Sequence, residues 1–339
     1  MSDEYGLIRK RRKTLLIVEG KHEKNELFWL IFKCFPELQI KLEDVWIYGT
    51  NIYLLYDDIE KEYDKNWDMD DIDLPFIVSR KLSENKTQSK RDFVNIFLVF
   101  DYERHDPKFS EDKIFRLQKY FSDSTDVGQL YINYPMIESY QDLPVFPNST
   151  FLNHKISVQV QPGKVYKNML RNSLIAKMTG LPKKLRELLN NRYGIKDEVI
   201  SEQLLIKILS LEMQKTFISK IIELLIPYIG EEKSKEAATM FHHILKKYIE
   251  FEKNKSFLMY SRSVLNRIIQ YQICKADRIV TNDDRFTDYL IKYKDIDYQS
   301  ILSIQNRVSS DEEAGFIWVL NTCVLLVPEY NLNLIKSVS

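Results

Sequence analysis

The chain has 339 residues, with 49 Lys and Arg against 49 Asp and Glu, so its formal net charge is zero. This balance excludes a globally basic nucleic-acid-binding protein, although a local basic patch can still bind. Hydrophobic residues make up 44% and charged residues 29%, which is typical of a globular protein with a hydrophobic core. The length is sufficient for one large domain or two ordinary domains.

The cysteines and apolar runs indicate the cellular compartment. Cys34, Cys274 and Cys323 are far apart, match no zinc spacing and lie in apolar sequence, which favours buried free thiols in a reducing compartment. The longest apolar run, residues 316–327, is shorter than the ~20 residues that span a bilayer. The N-terminus is polar and basic, unlike a secretory signal. We therefore expect a cytoplasmic, soluble protein without membrane contact.

The first predicted strand ends on a carboxylate. Residues 15–18 are apolar and β-rich, and the run is too short for a helix, so it predicts a buried strand. Glu19 follows it, Gly20 permits a turn, and residues 21–34 carry apolar side chains at helical spacing. A carboxylate at the carboxyl end of a strand lies where α/β folds bind their ligands.

Strands and helices alternate through the first part of the chain, which predicts a mostly parallel α/β sheet. The apolar run at residues 92–100 is typical of a central strand that is covered on both faces. Further strands are predicted at 44–49 and 130–133, helices at 51–63 and 113–121, a solvated acidic segment at 57–73, and a loop at 74–90.

The composition changes at a cluster of prolines that begins with Pro144. This change predicts an α/β domain over residues 1–147 and a largely α-helical C-terminal region over residues 148–339. Helices are expected in that region at 201–229, 231–252, 256–276, 284–293, 298–308 and 314–327.

Two predicted strands end on acidic residues, Glu19 on the first and Asp101 with Glu103 on the central one. Residues two apart in an extended segment point the same way, and parallel strands end at one edge of the sheet, so the three carboxylates are expected to meet. Clustered carboxylates repel each other strongly without a cation, and hard oxygen ligands suit Mg²⁺ or Mn²⁺. The competing interpretation is that each acid caps the helix that follows its strand.

The motifs Ile17-Val18-Glu19-Gly20 and Val99-Phe100-Asp101-Tyr102-Glu103 together resemble the signature of the Toprim family of topoisomerases, primases and nucleases. The resemblance covers about residues 12–143, and the second acid of the family's Asp-x-Asp pair is Glu103 here. It implies a Toprim-like sheet in which Glu19, Asp101 and Glu103 are catalytic and bind metal.

Within that family the chain is most similar to nucleases of the overcoming-lysogenization-defect (OLD) type. This resemblance implies further metal ligands at Glu23, one helical turn after Glu19, and at Glu138, after a later strand; these would hold a second cation for phosphodiester cleavage. An α/β domain with a helical tail is also similar to the Toprim effectors of the abortive-infection AbiL and PARIS anti-phage systems, which implies a separate ATPase partner. The chain itself has no Gly-x-x-x-x-Gly-Lys-Ser/Thr motif, so an ATP-driven step would come from that partner.

Basic residues beside the predicted site are candidates for nucleic-acid contacts, although lysines and arginines on solvated helix faces are equally compatible with the pattern. They comprise Lys21 in the turn after Glu19, Arg11 and Arg12 before the first strand, and Lys183, Lys184 and Arg186 in a locally basic stretch at 164–192. DNA or RNA as substrate, and assembly into a homo-oligomer, are left open.

The leading hypothesis is an Mg²⁺- or Mn²⁺-dependent nuclease that acts in antiviral defence under the control of an ATPase. The alternative is a non-catalytic Toprim-fold subunit that binds nucleic acid or the ATPase. A primase-like or topoisomerase-like accessory is a third interpretation, but no zinc motif or catalytic tyrosine context supports it.

Overall fold

The computed structural model describes residues 13–82, 88–143, 148, 150–248 and 254–336. Within these ranges the chain is α/β, with a five-stranded sheet formed by its first part. The strands of the sheet are β1 (Lys13–Val18), β2 (Val45–Ile47), β3 (Phe93–Asp101), β4 (Ser122–Asp123) and β5 (Gly128–Asn133).

The strand order is β2-β1-β3-β5-β4, and every neighbouring pair is parallel except β4 with β5. The predicted mostly parallel α/β sheet is therefore confirmed. Strand β1 is covered on both faces, because Leu16 and Val18 belong to one hydrophobic cluster and Leu15 and Ile17 to the other. Both central strands end at the same edge of the sheet, which is the edge that holds the predicted site.

Helices cover the sheet and make up most of the second part of the chain, as predicted. A π-helical turn (Glu23–Phe28) leads into α1. The α-helices are α1 (Trp29–Cys34), α2 (Ile52–Tyr63), α3 (Leu74–Lys81), α4 (Glu111–Tyr120), α5 (Lys167–Leu170), α6 (Leu174–Glu187), α7 (Glu198–Ser210), α8 (Phe217–Ile229), α9 (Ser234–Tyr248), α10 (Phe257–Thr281), α11 (Tyr289–Lys294), α12 (Tyr298–Val308) and α13 (Leu326–Tyr330). Strands β6 (Lys155–Ser157) and β7 (Phe316–Trp318) form a separate antiparallel pair.

The prediction of a loop over residues 74–90 is wrong for its first half, which forms α3. The Asp73 carboxylate accepts a hydrogen bond of 3.1 Å from the Phe76 N–H, and Pro75 occupies the first turn, so the sequence carries a helix start that the polar residues further along obscure. Leu74 and Val78 are fully buried under this helix. Residues 83–87 lie outside the described residues.

The predicted helix over residues 314–327 is also wrong. This run forms β7, a bridge from Leu320 to Tyr134 and only then short helical turns. Its polar residues explain the difference: the Thr322 hydroxyl donates to the Ile132 carbonyl at 2.8 Å, and the Asn321 amide donates to the Ile137 carbonyl at 2.7 Å. The run therefore packs across the end of β5 instead of forming one continuous helix.

Two further helix predictions needed adjustment. Residues 201–229 form two helices, α7 and α8, because the intervening chain leaves the helix at residues 211–216 and Glu212 bridges to Ser256. Residues 284–293 are helical only from Tyr289 onward. The helices predicted at 231–252, 256–276 and 298–308 correspond to α9, α10 and α12, although residues 249–253 lie outside the described part.

The two parts of the chain pack closely on each other. Both hydrophobic clusters contain residues from either side of position 147, and Arg262 of α10 donates to the Cys34 carbonyl at the end of α1. The three cysteines are free and buried, as expected. Among the described helices, none has the combination of length and hydrophobicity that crossing a bilayer requires.

Candidate metal centre

Three carboxylates meet at the carboxyl edge of β1 and β3. Glu19 directly follows β1, Asp101 is the last residue of β3, and Glu103 lies two positions later. One oxygen from each carboxylate lies within 4.8 Å of the others. Oxygens that share one Mg²⁺ are at most ~4.2 Å apart, because each lies about 2.1 Å from the ion. Small side-chain rotations would therefore let all three bind the same cation.

The electrostatics of this cluster favour a bound cation. Burial, followed by repulsion from Glu19, raises the pKa of Asp101 well above its usual range. Burial and then the Glu103 charge raise the pKa of Glu19 to about 8, although the Asp101 N–H donates to Glu19 Oε2 at 3.4 Å and opposes this shift. The site therefore holds more negative charge than its buried environment tolerates, unless a proton or a cation neutralises it.

Glu103 reaches the cluster by a different route from the one that the sequence predicted. Strand β3 ends at Asp101, and Glu103 has a φ of 48°, in the left-handed region that residues other than glycine seldom adopt. A turn, and not the alternation of an extended strand, thus directs its carboxylate. Burial, followed by the Asp106 charge, raises the pKa of Glu103 as well.

Tyr102 anchors this turn between the two acids. Its ring is fully buried, and its hydroxyl donates to Asn306 Oδ1 at 2.7 Å and lies 3.0 Å from Ser309 Oγ. We expect Tyr102→Phe to lower the free energy of unfolding by about 1–3 kcal/mol, because the buried Asn306 oxygen would lose this donor. Urea unfolding measures the effect. Tyr228→Phe removes an exposed hydroxyl and is the matched control; equal stability of the two variants would contradict this role.

Glu23 and Glu138 lie beside the three-acid cluster but not in it. Both side chains are buried, and both charges contribute to the raised pKa of Asp101. Glu23 Oε2 and Glu138 Oε2 have no hydrogen-bond partner among the described residues, which suits them to ligate a cation. Glu23 folds over Gly20, where a Cβ would lie 2.8 Å from Glu23 Oε2, so a larger residue at this position would displace the Glu23 carboxylate.

Two basic side chains contact Glu138. Its Oε1 forms an ion pair with Lys167 of α5, and His22 Nε2 lies 3.4 Å away. Burial lowers the pKa of Lys167, but the hydrogen bond and charge of Glu138 outweigh burial, so the net shift is upward. The position predicted for a second metal ion therefore has protein counter-charges in this structure.

The predicted nucleic-acid contacts are only partly brought together. Lys21 is exposed and borders a cleft of about 790 Å³ that Lys183 and Arg186 of α6 also line. Lys183 pairs with Glu26 at 2.9 Å, Arg186 with Glu202 at 3.1 Å, and Lys184 with Glu187 at 2.7 Å. The cleft therefore has mixed charge and is not uniformly basic. Arg11 and Arg12 lie outside the described residues.

Three residues of the site were missed by the sequence reasoning. Asp106 contributes to the raised pKa values of Glu19 and Glu103, and its carboxylate accepts from the Asn51 amide at 2.7 Å. Its position in the acidic run after β3 could have revealed it. Lys167 and His22 gave no such signal, because only the folded chain brings them to Glu138.

No protein-family model, no curated protein and no solved structure matches the chain. The geometry and charge of the acidic site are therefore the features that bear on function.

Proposed function

We propose that the protein is an Mg²⁺- or Mn²⁺-dependent nuclease with a Toprim-like fold. The observation that carries this proposal is the convergence of Glu19, Asp101 and Glu103 at the carboxyl edge of a parallel sheet, with pKa values raised by burial and mutual repulsion. Such a donor set suits a hard divalent cation, which usually keeps open positions for water and a substrate phosphate.

In this proposal the three carboxylates hold the cation and fix its position against the sheet edge. The cation would supply an activated water and stabilise charge on the departing oxygen. Asp101 is the most buried of the three, so its orientation is the most restricted. Glu19 has a pKa of about 8 without a cation, so it is largely protonated at neutral pH and could exchange a proton if it does not ligate.

Glu23 and Glu138 are proposed to hold a second cation next to Asp101. Their unpartnered oxygens support this role, whereas the ion pair between Glu138 and Lys167 competes with it. That same ion pair favours the second candidate function, a non-catalytic Toprim-fold subunit that binds nucleic acid or an ATPase. If Lys167 stays paired with Glu138, the second cation does not bind there.

We further propose that the nuclease acts in the cytoplasm as the effector of an anti-phage system, restrained or delivered by a partner ATPase. The absence of a Gly-x-x-x-x-Gly-Lys-Ser/Thr motif from the chain supports a separate source of any ATP-driven step. We assign contacts with this partner, or with a second copy of the chain, to the helical C-terminal region.

The proposed activity is tested by incubating the purified protein with single-stranded DNA, duplex DNA and RNA. We expect cleavage of at least one substrate with Mg²⁺ or Mn²⁺, and none with EDTA, both for the protein alone and with any ATPase that copurifies. Calorimetric titration with Mn²⁺ provides the second readout. Binding of Mn²⁺ without cleavage under any condition would favour the non-catalytic subunit, and absence of both would refute the metal centre.

A further inference from the structure

A second cleft, distinct from the one beside Lys21, lies next to the loop that follows Glu103. Its volume is about 510 Å³, and Asp106, which interacts electrostatically with Glu19 and Glu103, forms part of its wall. Three segments line it: the loop after β3, the chain after β6 and the chain after α12. The residues that line it include Arg104, His105, Phe109, Gln159, Gln161 and Glu312.

Arg104 is a cation in this cleft that has no ion-pair partner among the described residues. Its Nε is buried and has no hydrogen-bond partner, and no carboxylate of the described residues lies within ion-pair distance of its guanidinium. The other cations of the neighbouring surface differ, because Lys108 and Lys113 both pair with Asp57, at 3.0 and 2.6 Å. A half-buried arginine without an anionic partner is incompletely satisfied and suits an anionic ligand.

The surroundings of Arg104 prepare its guanidinium for such a ligand. The group lies over the Phe109 ring, 4.4 Å from the ring centre, which restricts the plane of the guanidinium and leaves its edges for hydrogen bonding. His105 is fixed next to it by a hydrogen bond between its Nε2 and the Val158 carbonyl. Glu312 also lines the cleft, and the described residues show no ion pair between it and Arg104.

The position of the cleft next to the proposed metal site indicates which kind of anion would bind there. Asp106 lines this cleft and its charge also acts on Glu19 and Glu103, so an anion bound in the cleft would lie within electrostatic range of the cation that these acids are proposed to hold. Guanidinium groups bind phosphate through two parallel hydrogen bonds, and the Gln159 and Gln161 side chains supply amide groups at the same cleft. A polymer with a phosphate at each unit can occupy both positions at once.

We propose that Arg104 binds a phosphate of the substrate strand that flanks the cleaved phosphodiester, an inference that rests on the proposed nuclease function. Arg104 is then a substrate-binding residue that sets the path of the strand from the metal centre into this cleft. The Lys21 cleft, whose α6 cations are already paired, contributes less to phosphate binding.

The test measures binding of fluorescent single-stranded DNA and RNA oligonucleotides by anisotropy, with Ca²⁺ in place of Mg²⁺ so that binding is read without relying on cleavage. We expect Arg104→Ala to weaken binding roughly 5- to 10-fold and to reduce the slope of log K against log salt by about 0.7, the contribution of one phosphate contact on a single strand. Arg104→Lys keeps the charge but loses the planar guanidinium that forms two parallel hydrogen bonds. Its affinity should therefore lie between those of the wild type and Arg104→Ala.

Arg192→Ala is the matched control, because it removes the same charge from an exposed pair with Glu236 on the helical region. We expect wild-type affinity and slope for it. Circular dichroism and Tm establish that each variant is folded. If Arg104→Ala binds like the wild type and Arg192→Ala, or if the wild type binds neither oligonucleotide, the inference is overturned.

The outcome for Arg104 is separate from the outcome for the nuclease. Weaker binding by Arg104→Ala without any cleavage by the wild type would retain the phosphate site and reject the proposed catalysis. Cleavage by the wild type together with unchanged binding by Arg104→Ala would support the proposed catalysis and reject the phosphate site. Where cleavage occurs, Arg104→Ala should raise KM and leave kcat nearly unchanged, because Arg104 contacts a phosphate that does not react.

Discussion

Asp101→Asn is expected to reduce metal-dependent cleavage by roughly a thousandfold or more, equivalent to about 4 kcal/mol of transition-state stabilisation. Asp101 lies at the centre of the acidic group, since Glu19, Glu138, Glu23 and Glu103 all contribute to its raised pKa. Asparagine keeps the shape of the side chain but removes the negative charge that a hard cation requires. Glu19→Gln should have an effect of similar size.

The loss of cleavage should come from the reaction itself and not from a loss of folded protein. Without metal, Asp101→Asn should be at least as stable as the wild type, because the substitution removes a buried charge from among like charges. Asp70→Asn changes an exposed aspartate remote from the cluster and is the matched control. Single-turnover rates with saturating Mn²⁺ measure the effect. Wild-type rates for both Asp101→Asn and Glu19→Gln would exclude the proposed catalytic centre.

The second large effect concerns the stability of the metal-free protein. The pKa of Glu19 is about 8 in the folded state, against 4.5 for an unperturbed glutamate. Between these two values the folded protein holds a proton that the unfolded chain has lost, so the free energy of unfolding falls as the pH rises. Asp101 shifts in the same direction. We expect Glu19 by itself to contribute a loss of about 2 to 3 kcal/mol between about pH 6 and pH 8 in EDTA.

Titration of Lys275 changes the free energy of unfolding in the opposite direction, so its contribution has to be separated from that of the acids. Burial, followed by the Arg278 charge, lowers its pKa to about 6, so its contribution raises stability as the pH increases above that value. The informative quantity is therefore the difference between the wild type and a Glu19→Gln, Asp101→Asn double variant, in which Lys275 is unchanged. The wild type should lose more stability between about pH 6 and pH 8 than the double variant.

Metal should reverse the destabilisation at high pH. A cation that binds only the folded state adds about 2.7 kcal/mol at a concentration 100 times its Kd. Mn²⁺ should thus raise the Tm of the wild type at about pH 8 and leave the Tm of the double variant unchanged. Equal pH profiles and equal responses to Mn²⁺ in both proteins would show that the carboxylates are neither repelling each other nor binding metal.

The sheet and its acidic edge could be predicted because both depend on local sequence. The apolar runs before Glu19 and Asp101 mark buried strands, and parallel strands must end at a common edge. The helix after Gly20 likewise follows from the apolar spacing of residues 21–34, although its π-helical first part does not. To predict these features, it is sufficient to know the direction of each strand and the position of each acid within its own segment.

The remaining features depend on contacts between distant segments. Residues 314–327 are apolar enough for a helix, yet Asn321 and Thr322 bind carbonyl groups near the end of β5, which only the folded chain supplies. The pairing of Lys167 with Glu138 and the unpaired state of Arg104 are equally non-local. The helix start at Asp73 was local, but the polar residues that follow it concealed the signal.

The most direct measurement of the metal centre is anomalous diffraction from crystals soaked in Mn²⁺. We expect one strong peak within coordination distance of Glu19, Asp101 and Glu103, with a weaker second peak near Glu23 and Glu138 if Lys167 moves away. Absence of a peak between the three carboxylates at saturating Mn²⁺, with the acids bonded to each other through shared protons, would contradict the proposed metal-dependent nuclease.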